Sequence, residues 1–228
     1  DEMQADYQWS FTTTFCGATY TALHDIQGNG NTSPLAGNVV TTEGIVTADL
    51  QAASQWGGFF LQAIPDSEDS NPSTSEGIFA YGYLTDVNQG DRVRVTGTVV
   101  EYTGSGSSNA GKMANMTELS NITVQICATG QTLPAPTVVD LPNTADPAFS
   151  LEPYEGMLVT IPETLTVQQN YFQGRFGQLT LGAGGRIAQM NNITKGGGSL
   201  YDYTRMIVLD DGSDRKSTRL NSSHGKLS

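Results

Sequence analysis

The sequence predicts an all-β protein: an OB-like Greek-key barrel followed by a second, truncated OB-like β domain. Three observations carry that expectation. Short β-branched and aromatic runs recur between turns rich in Gly, Asn and Pro. Residues 91–102 (D-R-V-R-V-T-G-T-V-V-E-Y) alternate polar and apolar side chains with period two, as a half-buried strand does. After a proline-rich stretch, the strand pattern starts again.

Residues 1–18 read as a linker or the end of an upstream module, and residues 19–130 as the first barrel. Within it, residues 19–27 form a short helical or extended entry, and 28–34 a Gly/Asn loop. The first strand covers residues 39–49, with Gly44 inside it; an internal strand glycine marks a bulge or a sharp bend. Residues 58–63 and 77–83 are the next two strands, separated by an acidic Ser/Pro loop at 66–75. A turn at 88–90 leads into the alternating strand. A Gly-rich loop at 104–111 then precedes residues 116–127, whose end, 122–127, is the last strand. Five short strands with glycine at the corners fit a small Greek-key barrel, with a β-sandwich as the alternative. Four prolines between residues 133 and 147 mark 131–150 as a semi-rigid linker. Residues 151–167 echo 35–48, residues 177–181 echo 58–62, and 205–209 form another strand. The second domain, 151–213, has no counterpart of the alternating strand, so it is expected to be cut short with an unpaired edge. Residues 214–224 (D-R-K-S-T-R-L-N-S-S-H) back-translate to DNA resembling a short-read sequencing adapter. Residues 214–228 are therefore expected to be an artefactual tail and are set aside from fold reasoning.

The chain carries 11 basic and 23 acidic residues. Without Asp214, Arg215, Lys216, Arg219 and Lys226, residues 1–213 carry 7 basic and 22 acidic side chains, a net charge of −15. Such a surface repels phosphate backbones and lacks the basic stripe of most nucleic-acid binders. No apolar run is long enough to span a membrane. The two cysteines, Cys16 and Cys127, bracket the first domain. In an exported protein an even pair so placed reads as a disulfide; two buried thiols are the alternative.

Three groups of residues can carry chemistry. OB barrels bind single strands by stacking bases on aromatic rings above a basic groove. Trp56, Phe60, Tyr81, Tyr83 and Tyr102 supply rings here, and Arg92 and Arg94 share one face of their strand. A structural role for these rings and arginines is the competing reading. Asp66, Glu68 and Asp69 form the densest carboxylate cluster and can offer loop oxygens to Ca²⁺, although the glycine and distal glutamate of an EF-hand loop are missing. A solvated acidic loop explains them equally. His24 and Asp25 are adjacent, so they do not face each other as base and orienter, and no nucleophile accompanies them.

Several stretches in order carry a resemblance. They are H-D-I-Q-G at 24–28, S-P-L-A-G at 33–37, E-G-I-V-T-A-D at 43–49, G-G-F-F-L-Q at 57–62, T-S-E-G-I-F at 74–79 and G-D-R-V-R-V-T-G-T-V-V-E-Y at 90–102. Beyond the linker follow L-E-P-Y-E-G-M at 151–157, G-R-F-G-Q-L-T-L at 174–181 and I-V-L-D-D-G at 207–212. Together they resemble the OB-like region ahead of the catalytic domain in bacterial extracellular nucleases of the endonuclease/exonuclease/phosphatase class. The resemblance implies a secreted parent that hydrolyses extracellular DNA with a divalent metal (Mg, Mn or Ca). It also implies a downstream catalytic domain of the same chain as the principal partner, with DNA contacted weakly if at all. The family's catalytic residues lie in that domain. None can be placed here, and no cofactor is expected in this segment. A cell-surface module that recognises a polysaccharide or a protein is the competing expectation. A self-contained hydrolase is disfavoured because no base, nucleophile or convincing metal set is present.

Overall fold

A computed structural model of the chain describes residues 15–103, 115–146, 150–187 and 204–212. The upstream segment 1–14, the glycine-rich loop at 104–111 and the tail at 214–228 lie outside the described residues. The protein is all-β. The strands β1 (Val39–Leu50), β2 (Gly58–Gln62), β3 (Gly77–Tyr81), β4 (Arg92–Tyr102) and β5 (Met116–Ala128) close into a barrel in the order β1-β2-β3-β5-β4. The closing pair β3–β5 is parallel, and the other neighbours are antiparallel.

Closure depends on β1 serving two neighbours. Residues 39–45 pair with β4, and residues 45–50 pair with β2. Gly44 sits at the changeover. A Cβ there would lie 2.6 Å from the Gln62 carbonyl oxygen, so only glycine lets the strand pass so close to β2. The core is what the alternation of β4 demands: Val93, Val95 and Val99 point inward. They meet Val40 and Val46 of β1, Phe59 and Leu61 of β2, Ile78 and Ala80 of β3, and Leu119 of β5. A short helix, α1 (Leu23–Gln27), adds Leu23 and Ile26 to the same core. The last strand is longer than its sequence announces. Residues 116–120 are largely polar, yet they pair with the far half of β4, beyond the apolar stretch expected to form the strand.

The proline-rich stretch is packed rather than free. Its strand β6 (Thr137–Val138) pairs in parallel with β7 (Val159–Thr160), and Val139 and Leu141 are buried. The segment around residues 155–158 is stitched onto the barrel. Ser75 Oγ donates to the Glu155 carbonyl at 2.5 Å, the Leu158 N–H donates to Gln62 Oε1, and the Thr117 N–H donates to Glu155 Oε1. Here Gly77 and Gly156 touch backbone to backbone; a Cβ on Gly77 would lie 2.3 Å from Gly156. Beyond, β8 (Thr166–Gln169), β9 (Leu179–Gly182) and β10 (Met206–Leu209) form an antiparallel meander in the order β10-β9-β8. A single turn of helix, α2 (Gln173–Phe176), joins β8 to β9.

Candidate functional site

The outer face of β2 and β3 gathers the aromatic side chains. Phe60 and Phe79 are cross-strand partners with ring centroids 4.9 Å apart. Trp56, in the β1–β2 loop, meets both edge-on at 6.0 and 6.1 Å. Phe79 is covered by this arrangement, whereas Trp56 stays 38 % exposed. Tyr81 lies beside them: its ring is 3.4 Å from where a Cβ on Gly57 would stand, and it is 48 % exposed. Tyr83 and Leu84 follow in a loop and are more exposed still. Gln51 holds that loop, because its side-chain amide donates to the carbonyls of Gly82 and Thr85. The other end of the same face is occupied by Gly156 and Leu158. The exposed rings thus form an arc at the uncovered end, where planar groups can stack. Tyr102 is not part of it. It ends β4 opposite Met116, on a strand whose neighbours are β1 and β5.

Arg92 and Arg94 also sit away from the aromatic arc, on β4. Cross-strand pairing places Glu43 of β1 opposite Arg94. Glu43 is buried and takes both arginines, at 2.6 Å from Arg92 Nη2 and 2.7 Å from Arg94 Nη1. Arg94 then donates to the carbonyls of Ala18 and Thr19, and Glu43 Oε1 also accepts the Gly17 N–H. Burial works to raise the Glu43 carboxyl, but hydrogen bonds from Arg92, Gly17 and Arg94 outweigh it and hold the group below its ordinary value. The Cys16–Cys127 disulfide, with Cα atoms 5.6 Å apart, fastens the same segment. The arginine pair therefore lashes residues 16–19 to the outside of the barrel. Apart from Lys112, outside the described residues, Arg92 and Arg94 are the only Lys or Arg side chains between residues 1 and 130. Neither of these two arginines reaches the aromatic arc.

Of the expected carboxylate cluster, Asp69 alone joins a compact group. Its partners are His24 of α1 and Glu76, just before β3, with one ligand atom from each within 4.8 Å of the others. Asp66 and Glu68 are exposed and stay outside it. His24 Nδ1 donates to Glu76 Oε1 at 2.9 Å, and the Asp69 N–H donates to the same oxygen at 2.9 Å. Burial raises the Glu76 carboxyl, only partly countered by the Asp69 N–H and the charge of His24. Desolvation works to raise the Asp69 carboxyl, but the Asn71 N–H, the charge of His24 and Thr74 together outweigh it and hold the group below its ordinary value. Sequence reasoning missed Glu76 because 52 residues separate it from His24.

Two further carboxyls stand out. Burial pushes Glu118, on β5, up to about 7. Glu155 is also pushed up to about 7, first by burial, with Glu152 and Glu101 nearby adding repulsion against the Thr117 N–H. Glu155 lies where residues 152–158 press on the barrel, and Glu118 stands opposite Phe79 of β3. Set against known proteins, the chain matches no family model and no curated protein. No helix among the described residues is long and apolar enough to cross a membrane.

Proposed function

We propose that the chain is a non-catalytic, OB-like region of an exported bacterial nuclease whose catalytic, metal-bearing domain lies elsewhere in the parent. Its contribution is to position that domain and to hold substrate weakly. The observation that carries this reading is the place of the exposed rings. OB-type barrels take oligonucleotides and oligosaccharides on the face of strands 2 and 3 and on the loop between strands 1 and 2. Trp56, Phe60, Tyr81 and Tyr83 occupy that region. Each base stacked on such a ring contributes about 1–3 kcal/mol without sequence preference. The disulfide supports an oxidising, extracellular setting.

The engagement of Arg92 and Arg94 by Glu43 favours a second reading. An aromatic arc that these two arginines do not serve suits the apolar faces of neutral sugar rings, as in a cell-surface module that binds polysaccharide. Isothermal titration calorimetry separates the two. The chain is titrated with single-stranded oligothymidine at low salt and with neutral oligosaccharides, beside Trp56→Ala. Saturable binding of the oligonucleotide that weakens as salt rises and is lost in Trp56→Ala supports the nuclease reading. Binding of saccharide alone moves the assignment to the second. Binding that survives in Trp56→Ala removes the aromatic face from either.

A further inference from the structure

We infer that His24, Asp69 and Glu76 form a binding site for a first-row divalent transition ion, with Zn²⁺ as its best-matched occupant. The site is distinct from the aromatic arc and does not depend on how that face is used. Two observations carry it. One is the convergence of an imidazole and two carboxylates from α1 and the β2–β3 loop, with ligand atoms within 4.8 Å of one another. The other is an orphaned atom. Glu76 is buried, with its side chain 8 % exposed, and Oε1 is anchored by His24 and Asp69. The second oxygen of that carboxylate, Oε2, is buried with no hydrogen-bond partner. A buried polar atom left unpaired costs roughly 1–3 kcal/mol. A cation is the kind of partner that removes this penalty while satisfying a carboxylate.

The geometry suits a small ion. Two tetrahedral ligands bound at about 2.0–2.1 Å stand roughly 3.3 Å apart; His24 Nδ1 and Glu76 Oε1, 2.9 Å apart as a hydrogen-bonded pair, reach that spacing by parting a few tenths of an ångström as the ion replaces the proton they share. Asp69 closes the set from the solvent side. Its own loop already fixes it: Oδ1 accepts the Asn71 N–H at 2.7 Å, and Thr74 Oγ1 donates to the carboxylate at 3.2 Å. Three protein ligands leave positions for water. The choice of ion follows from the ring nitrogen. Ca²⁺ collects six to eight oxygens, whereas imidazole suits Zn²⁺ and its neighbours. A bound ion would pin the loop before β3 to α1.

The test uses the full, untagged chain, stripped with chelator and titrated calorimetrically with ZnCl₂ and, separately, CaCl₂. One saturable Zn²⁺ per chain is expected, with a rise in Tm that CaCl₂ does not reproduce. Asp69→Asn keeps the loop's Oδ1 acceptor and touches no core residue, so its metal-free Tm should match that of the parent chain. Its zinc affinity should fall at least roughly 10-fold, as should that of His24→Gln. Absence of 1:1 binding overturns the site. Unchanged zinc affinity in Asp69→Asn does so too, because the ion would then sit elsewhere on this acidic chain. Equal binding of Ca²⁺, indifferent to His24→Gln, would also overturn it.

Discussion

The barrel of β1–β5 and the meander of β8–β10 begin alike and end differently. Each opens with a strand that pairs antiparallel to the next through a one-residue irregularity, between Val46 and Ala48 in the barrel and between Val167 and Gln169 in the meander. Each then adds a third antiparallel strand. In the barrel, β1 runs for 12 residues, long enough to serve a neighbour on each side, and β4 and β5 close the cylinder. β8 has four residues and, among the described residues, pairs on one side only. The consequence is visible in burial. Every position of β2 except Phe60 is buried, whereas only the terminal glycine of β9 is, and Val167, Val208 and Leu209 face solvent. Among the described residues, similar hairpins thus bury their strand faces in one place and leave them open in the other. Closure by a long shared strand, rather than the hairpin pattern itself, buries the apolar faces.

That contrast can be broken or sharpened by measurement. The largest effect is expected from the disulfide. Replacing Cys16 and Cys127 by Ser opens a cross-link spanning 111 residues. In the chain-entropy account this costs about 4–5 kcal/mol. Denaturant unfolding followed through barrel residues should register the loss, while probes on β9 should not move. Next is Arg94→Ala. It leaves Glu43 buried with one guanidinium where it had two, and on the order of 3–5 kcal/mol should be lost. If Arg94→Ala unfolds no more readily than the parent chain, the clasp on residues 16–19 contributes nothing.

A pH series comes third. Glu118 and Glu155 are raised in the folded protein, so the stability tied to their protonated forms is complete below the ordinary range near 4.5. It is lost as pH rises through about 7. Glu43 is lowered, so its contribution is present above that ordinary range and is lost as acid is added. Tm should therefore peak near pH 5 and fall toward pH 8, a loss on the order of 1–3 kcal/mol. Glu118→Gln with Glu155→Gln should flatten the alkaline limb. The smallest effect concerns exchange of backbone amides with no substitution at all. β1, β4 and β5 should exchange at the global unfolding limit, and β8–β10 well before it. Equal protection in both regions would erase the distinction drawn above.

Much of the barrel is legible in the sequence because its signals are local. The alternation of residues 91–102 places Val93 and Val95 inward and the two arginines on the opposite side, as found. Gly44 marks the bend. What the arginines meet is not local: Glu43 reaches Arg94 only through the β1–β4 register, and no spacing in the chain announces it. The same holds for Glu76 and His24. The polar start of β5 conceals a strand because its pairing partner, not its own composition, makes it one. The prolines that mark residues 131–150 as a semi-rigid linker say nothing of the buried Val139 and Leu141 that pin the segment down.

The bridge between Cys16 and Cys127 has a mechanical meaning as well. It joins the point where the chain reaches the barrel to the end of the last barrel strand. Tension applied along the polypeptide, from before residue 16 to beyond residue 127, would run through one covalent bond and bypass the strands between. The barrel could keep its shape, and its face of rings, under a pull that extends the rest of the chain.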